Sequence, residues 1–240
     1  MEIVGFSDHK ATAEVWYRLL NLGFRLPAGA GTDAMASYAS LRGPVGINRV
    51  YLATDGSLDP VAARDALASG RTFATNSALL GFQLGGVVPG ATLSADGADA
   101  RRYRVSMRSP VPIDHLEIVQ NGRVLKSLPL AGDRRGYDGE GDLEIAADGW
   151  VLLRAWNDHA DPLVLDIYPY ATTSPIYLSG FGSRPDARDD ARYFVAWMDR
   201  VIEATQTRTA DFNDERERAA TFEYLDRARA GYAALASDNR

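Results

Sequence analysis

The sequence predicts a three-part α+β chain: an α/β segment over residues 1–80, an antiparallel β-sandwich over 81–180 and a helical segment over 181–240. Three observations predict it. Short apolar runs alternate with helical spacing in the first part. The period then changes to two, with Tyr103, Val105 and Met107 alternating with Arg102, Arg104 and Ser106. Helical spacing returns at Tyr193, Phe194, Trp197, Met198, Val201 and Ile202.

In order along the chain, Glu2-Ile3-Val4-Gly5-Phe6 reads as a short strand. Ser7 or Asp8 can cap the helix that follows, whose Val15, Trp16, Leu19 and Leu20 share one face and which Gly23 is placed to end. Arg49 to Leu52 reads as a strand, "DPVAARDALASG" as a helix with Pro60 in its first turn and Gly70 past its end, and Arg71 to Thr75 as another strand. Strand and helix in alternation imply parallel strands. Leu116 and Ile118 precede Asn121-Gly122, a hairpin signal, and Val124, Leu125 and Leu128 follow it. Asp148-Gly149 marks a turn before Trp150, Leu152, Arg154 and Trp156, while "GDRRGYDGEG" over 132–141 reads as a mobile loop. A second terminal helix is expected from Asp214 towards Leu235.

Composition narrows the function classes. A hydrophobic fraction of 46% with 24% charged residues is globular, and 240 residues are enough for one large or two ordinary domains. The net charge is −6 with no basic segment, which speaks against nucleic acid and against an anionic membrane as partners. The absence of cysteine removes disulfides, thiolate metal sites and a cysteine nucleophile. The amino terminus "MEIVGFSDHK" has no secretory pattern and no run has membrane-spanning length, so the chain reads as soluble with no compartment assigned.

Candidate chemistry centres on a few polar residues. Asp33, in "GAGTDAM", follows a strand, where α/β folds gather ligands; it is either a metal ligand or a turn cap. His9 can ligate, shuttle a proton or bind substrate, or it is an exposed first-turn residue behind an Asp8 cap. His115 and His159 are expected far from it. Arg42 can receive an anionic group or pair with a neighbouring carboxylate, and Thr75 and Asn76 can touch substrate or simply satisfy a strand end. Trp150 and Trp156 read as sandwich core rather than a sugar platform. There is no Gly-x-Ser-x-Gly, Walker lysine loop or His-Glu-x-x-His.

The blocks "WYRLLNLGFRLPAGAGTDAM", "ASLRGPVGINRVYL", "ALASGRTFATNSALLGF", "GWVLLRAW" and "YPYATTSPIYL" resemble the C-terminal part of CehA/McbA-type metallohydrolases of the PHP superfamily, over roughly residues 1–200. That resemblance implies a truncated β/α barrel followed by a sandwich, and in the intact parent a small-molecule phosphoester, carbamate or related ester hydrolysed by water on a divalent Zn, Mn or Fe. It assigns Asp33 as a metal ligand. Met35 stands where many members carry histidine, and the early His-x-His motif and the middle Glu and His ligands are missing. The implied expectation is therefore a catalytically incomplete hydrolase fragment that need hold no metal itself and whose exposed barrel edge invites self-association. The alternative is a non-catalytic β-sandwich binding or assembly module.

Overall fold

The protein is described by a computed structural model covering residues 1–35, 43–54, 56, 59–96, 100–165, 167–208 and 211–237. It divides into two compact units, residues 1–185 and 186–240.

The first unit opens with a parallel strand pair wrapped around a helix. Strand β1 (Glu2–Val4) pairs with β2 (Gly29–Ala30), and helix α1 (His9–Asn21) connects them. Asp8 caps α1, its carboxylate accepting the Ala11 amide N–H at 2.7 Å. Gly23 follows the helix with φ +94, a conformation that costs a side chain-bearing residue.

Most of the remaining strands form one eight-stranded sheet. Its members are β3 (Arg49–Leu52), β4 (Thr72–Thr75), β6 (Thr92–Ser94), β8 (His115–Gln120), β9 (Arg123–Ser127), β11 (Gly149–Trp156), β12 (Tyr170–Thr173) and β13 (Ile176–Ser179). β11 is its hub: β8 lies along one edge, and β12 and then β13 share the other. A smaller antiparallel sheet runs β10 (Gly136–Asp142), β7 (Arg102–Arg108), β5 (Leu79–Leu84). The Asn121-Gly122 turn joins β8 to β9 with φ +50 and +83, the left-handed pair that a two-residue hairpin demands.

The two sheets face one another over a core that includes Phe82, Val105, Met107, Ile118, Val151 and Leu153. The large sheet is covered on its other side as well. Trp150 and Leu152 alternate with Val151 and Leu153 along β11, so they emerge on the opposite face. There they join Ile3, Trp16, Tyr17 and Leu20 in a second core. The Trp16 and Leu20 face of α1 is thus buried on the sheet, and Trp150 Nε1 donates to Asn21 Oδ1 at 2.9 Å. A hydroxyl relay fixes the layer in place: Ala28 N–H donates to Ser174 Oγ at 2.8 Å, and the Thr72 hydroxyl donates to the Ala28 carbonyl at 2.9 Å.

Two expectations need correction, the parallel pairing of β3 with β4 and the loop over 132–141. β3 and β4 are antiparallel, although helix α2 (Pro60–Ser69) separates them. Only Ala66 of α2 is buried, so the helix does not cross a sheet face; the left-handed Gly70 cap turns the chain straight back along β3. The described residues close no barrel. The segment anticipated as a mobile loop contains strand β10, paired with β7 along its whole length. Its acidic residues meet the arginines of β7, Glu140 with Arg102 and Asp138 with Arg108, which its glycine-rich composition conceals.

The second unit is a helical hairpin of α3 (Arg188–Gln206) and α4 (Glu215–Ser237). Phe194 stacks on Tyr232 with ring centroids 5.0 Å apart, and Asp199 pairs with Arg229. The apolar stripe read from α3 therefore finds a partner in α4. None of the helices among the described residues is long and apolar enough to cross a membrane.

Candidate functional site

The parallel pair positions the candidate site. His9 begins the helix that leaves β1, and Asp33 follows β2 on the same side of the pair. At this end a cavity of about 320 Å³ has His9, Asp8, Asn48 and Tyr168 in its polar wall and Phe6, Ile47, Leu165 and Ile167 as its apolar lining.

His9 is buried, at 2% exposure, not exposed as an ordinary first-turn residue would be. The reason is the sheet beneath α1: the His9 ring meets Tyr168 edge-on at 5.4 Å and lies 5.7 Å from Tyr170. Its Nε2 is 3.4 Å from Asn76 Nδ2, while its Nδ1 is buried without a hydrogen-bond partner among the described residues. Burial lowers the His9 pKa, opposed by the charge of Asp8. Tyr168 accepts the Lys10 amide N–H at 2.9 Å, and burial pushes its phenol up to about 12.

Asn76 sits immediately beyond β4 and is held from three directions. Its Oδ1 accepts the Tyr170 amide N–H at 2.7 Å, and its Nδ2 donates to the Tyr168 carbonyl at 3.0 Å as well as facing His9. Thr75 is fully buried, and its hydroxyl accepts the Ser77 amide N–H at 2.8 Å, which ends the strand. Of the residues selected from the sequence, His9 and Asn76 meet. Asp33 is exposed, with φ +54, and is not part of the cavity wall. Arg42 lies outside the described residues.

A cation column adjoins the cavity. Lys10 Nζ lies 4.3 Å from the centroid of a Trp156 ring and 4.7 Å from that of Tyr168. His115 stacks on the far partner, Trp156, at 3.9 Å and contacts Asp158 through Nε2 at 2.8 Å. His115 thus joins this column through Trp156. Of the two tryptophans, Trp150 is buried against α1 rather than inside the sandwich, and Trp156 is half-buried in this column.

Asn48 and Tyr168 escaped sequence reasoning. Asn48 Nδ2 donates to the Gly5 and Gly31 carbonyls at 3.2 and 3.1 Å, bridging the loops after β1 and β2, and its Oδ1 is buried without a partner among the described residues. Nothing in the local pattern of "VGINRV" separates it from an ordinary turn asparagine; its role comes from residues far away in the chain. A structural or catalytic cation needs three or four protein ligands. Among the described residues no three of histidine, aspartate and glutamate converge on one point, so this donor set does not fit a divalent metal.

Compared with protein-family models, curated proteins and solved structures, the chain matches none.

Proposed function

We propose that these residues are the late part of a PHP-type metal-dependent hydrolase, carrying its last parallel strands and an attached β-sandwich but too few metal ligands for turnover. The observation that supports this reading is the position of His9 and Asp33 after the carboxyl ends of adjacent parallel strands. Barrels of parallel strands collect catalytic groups at that end. The sequence resemblance supplies the reaction class, cleavage of a phosphoester, carbamate or related ester on Zn, Mn or Fe. In this reading Asp33 is a metal ligand.

The test is direct. The purified chain, assayed with p-nitrophenyl phosphate and p-nitrophenyl acetate in the presence of Zn, Mn or Fe, is expected to give no turnover above that of the metal in buffer. Metal-dependent turnover lost in Asp33→Asn would overturn the incomplete-site reading.

A second reading, a non-catalytic binding or assembly module, is favoured by two buried polar atoms of cavity-wall residues, His9 Nδ1 and Asn48 Oδ1, that have no hydrogen-bond partner among the described residues. Groups of this kind are costly to bury unless something completes them. Self-association in either reading would extend the β1–β2 pair by a further strand, and light scattering of the intact chain tests it: a dimer supports that route and a monomer removes it.

A further inference from the structure

The two facing sheets differ in width, and the wider one reaches past the narrower. β5, the end strand of the three-stranded sheet, lies against β12 and β11 of the large sheet. β12 pairs with β4 and β4 with β3, so the inner face of β3 and β4 extends beyond β5. Arg71 and Phe73 take that face, while Ala74 between Phe73 and Thr75 enters the core under α1. Tyr51, opposite Phe73 in the register, stacks on it with ring centroids 4.7 Å apart and an interplanar angle of 8°. Tyr51 is 40% exposed and Phe73 is half-buried, so this aromatic floor is open to solvent.

The edge of β5 beside that floor carries unused backbone groups. In an antiparallel sheet, alternate residues direct both of their groups to the same neighbour. Gly85 N–H donates to the Arg102 carbonyl at 2.8 Å, in register with β7, whereas Leu84 exchanges both groups with Val87 on the other side, at 3.1 and 3.0 Å. Phe82 and Leu80 share the parity of Leu84, so their N–H and C=O groups point away from β7. Among the described residues these groups have no hydrogen-bond partner. Two cavities lie at this edge, one of about 300 Å³ beside Leu80 and Phe82 and one of about 540 Å³ reaching Leu79 and Gly81, and Tyr51 and Phe73 belong to the walls of both. A strand placed beside β5 would direct alternate side chains into one cavity and then the other. Arg71 is an exposed member of the smaller cavity's wall; its Nε donates to Ser69 Oγ at 3.2 Å, and no carboxylate among the described residues pairs with it. Arg108, in the wall of the larger one, is already paired with Asp138 at 2.7 Å.

We propose that β5 takes an extended segment of a partner protein as an antiparallel fourth strand of the small sheet, with apolar side chains of alternate residues on Tyr51 and Phe73 and a carboxylate of the same row at Arg71. Leu80 and Phe82 each exchange both backbone groups with the residue opposite, and those opposite residues carry the inward row, because residues paired across a sheet share a face. Main-chain pairing supplies the affinity of such an added strand, and the pockets for its alternate side chains supply the specificity. The site shares no wall residue with the His9 cavity and leaves Asp33 aside, so it goes beyond both functional readings and rests on neither.

The test uses the full chain labelled with 15N and the peptide acetyl-Glu-Thr-Val-Thr-Val-Thr-Glu-amide, whose inward row of Glu, Val, Val and Glu offers a carboxylate to Arg71 in either direction. The amide protons of Leu80 and Phe82 are expected to shift downfield saturably and, at saturation, to exchange with deuterium about tenfold more slowly. N-methylation of both valines removes the donors to the Leu80 and Phe82 carbonyls without altering the protein, and is expected to weaken binding about tenfold. Tyr51→Ala, confirmed as folded by its amide spectrum, is expected to weaken it about tenfold, and replacing both glutamates of the peptide by glutamine about threefold. No saturable shift, or unchanged affinity after N-methylation or in Tyr51→Ala, would each sink the proposal, and unchanged affinity of the glutamine peptide would remove Arg71 from it. Decanoate, titrated separately, probes the cavities as an apolar ligand pocket, and tighter binding than that of the peptide would overturn the added strand. Sedimentation of the free chain is paired with deuterium exchange: unprotected Leu80 and Phe82 amides are expected, and a dimer that protects them would give the edge to a second copy instead. None of these outcomes depends on turnover, so failure here and failure of the hydrolase reading are distinguishable.

Discussion

Single side chains at the α1 end of the molecule each carry a separable energetic role. Asp8 satisfies an otherwise orphaned helix amide, and Asp8→Ala is expected to lower stability by about 1 kcal/mol in urea denaturation, the usual worth of such a cap. His9 links stability to pH. Its folded pKa lies below the ordinary 6.5, so as pH falls through 6.5 the unfolded chain takes up a proton that the folded chain resists. The contribution of neutral His9 is thus complete above 6.5, declines below it and stops declining once the folded pKa is passed. His9→Gln is expected to remove that part of the slope, measured as denaturation midpoint against pH. Glu117 illustrates a buried pair: one of its oxygens accepts Arg154 Nε at 2.8 Å and Trp156 Nε1 at 3.0 Å. Arg154 is only 16% exposed at the side chain, and Glu117→Leu is expected to cost about 3–5 kcal/mol by leaving that cation without its partner.

At the scale of elements, the sequence was legible wherever one local rule decided the outcome. The Pro60 and Gly70 signals bracket α2, the Asn121-Gly122 pair makes its hairpin, and the period of two at Tyr103, Val105 and Met107 gives one buried face to β7. It was misleading where a distant partner decided. β10 reads as loop because its pairing energy resides in β7, and β3 and β4 read as parallel because nothing local reports that α2 stays outside the sheet. The candidate site shows the same division. His9 and Asn76 were selected one at a time, but the contact between them spans 67 residues of sequence and is created by the sheet. Asn48 and Tyr168 have no local signature at all. Helix α1 owes its place to Trp16, which is fully buried and whose Nε1 donates to the Leu26 carbonyl at 2.9 Å. Trp16→Ala is expected to destabilise the protein by about 3–5 kcal/mol, readable by chemical denaturation.

For the whole molecule, the division at residue 185 has a testable meaning. Residues 1–185 contain both sheets, both of their cores and the candidate cavity, and a chain ending there is expected to retain a dispersed amide spectrum. Collapse of that spectrum would show that the first unit needs the helical hairpin. The first eighty residues, in turn, are not held by their own contacts alone: β3 and β4 are strands of the large sheet, and α1 shares a core with Trp150 and Leu152. The sequence indicated an α/β segment beside a sandwich, and the physical connection between them is the use of both faces of one sheet.

That two-faced sheet also orders the molecule in time. Five consecutive residues of β11, Gly149 to Leu153, are buried, and its alternate side chains enter cores built from opposite ends of the first unit. Opening either layer alone leaves the other still covering the strand. Amides of Val151 to Leu153 should therefore exchange with deuterium only through global unfolding, whereas those of β10, at the edge of the small sheet, should exchange through cheaper local openings.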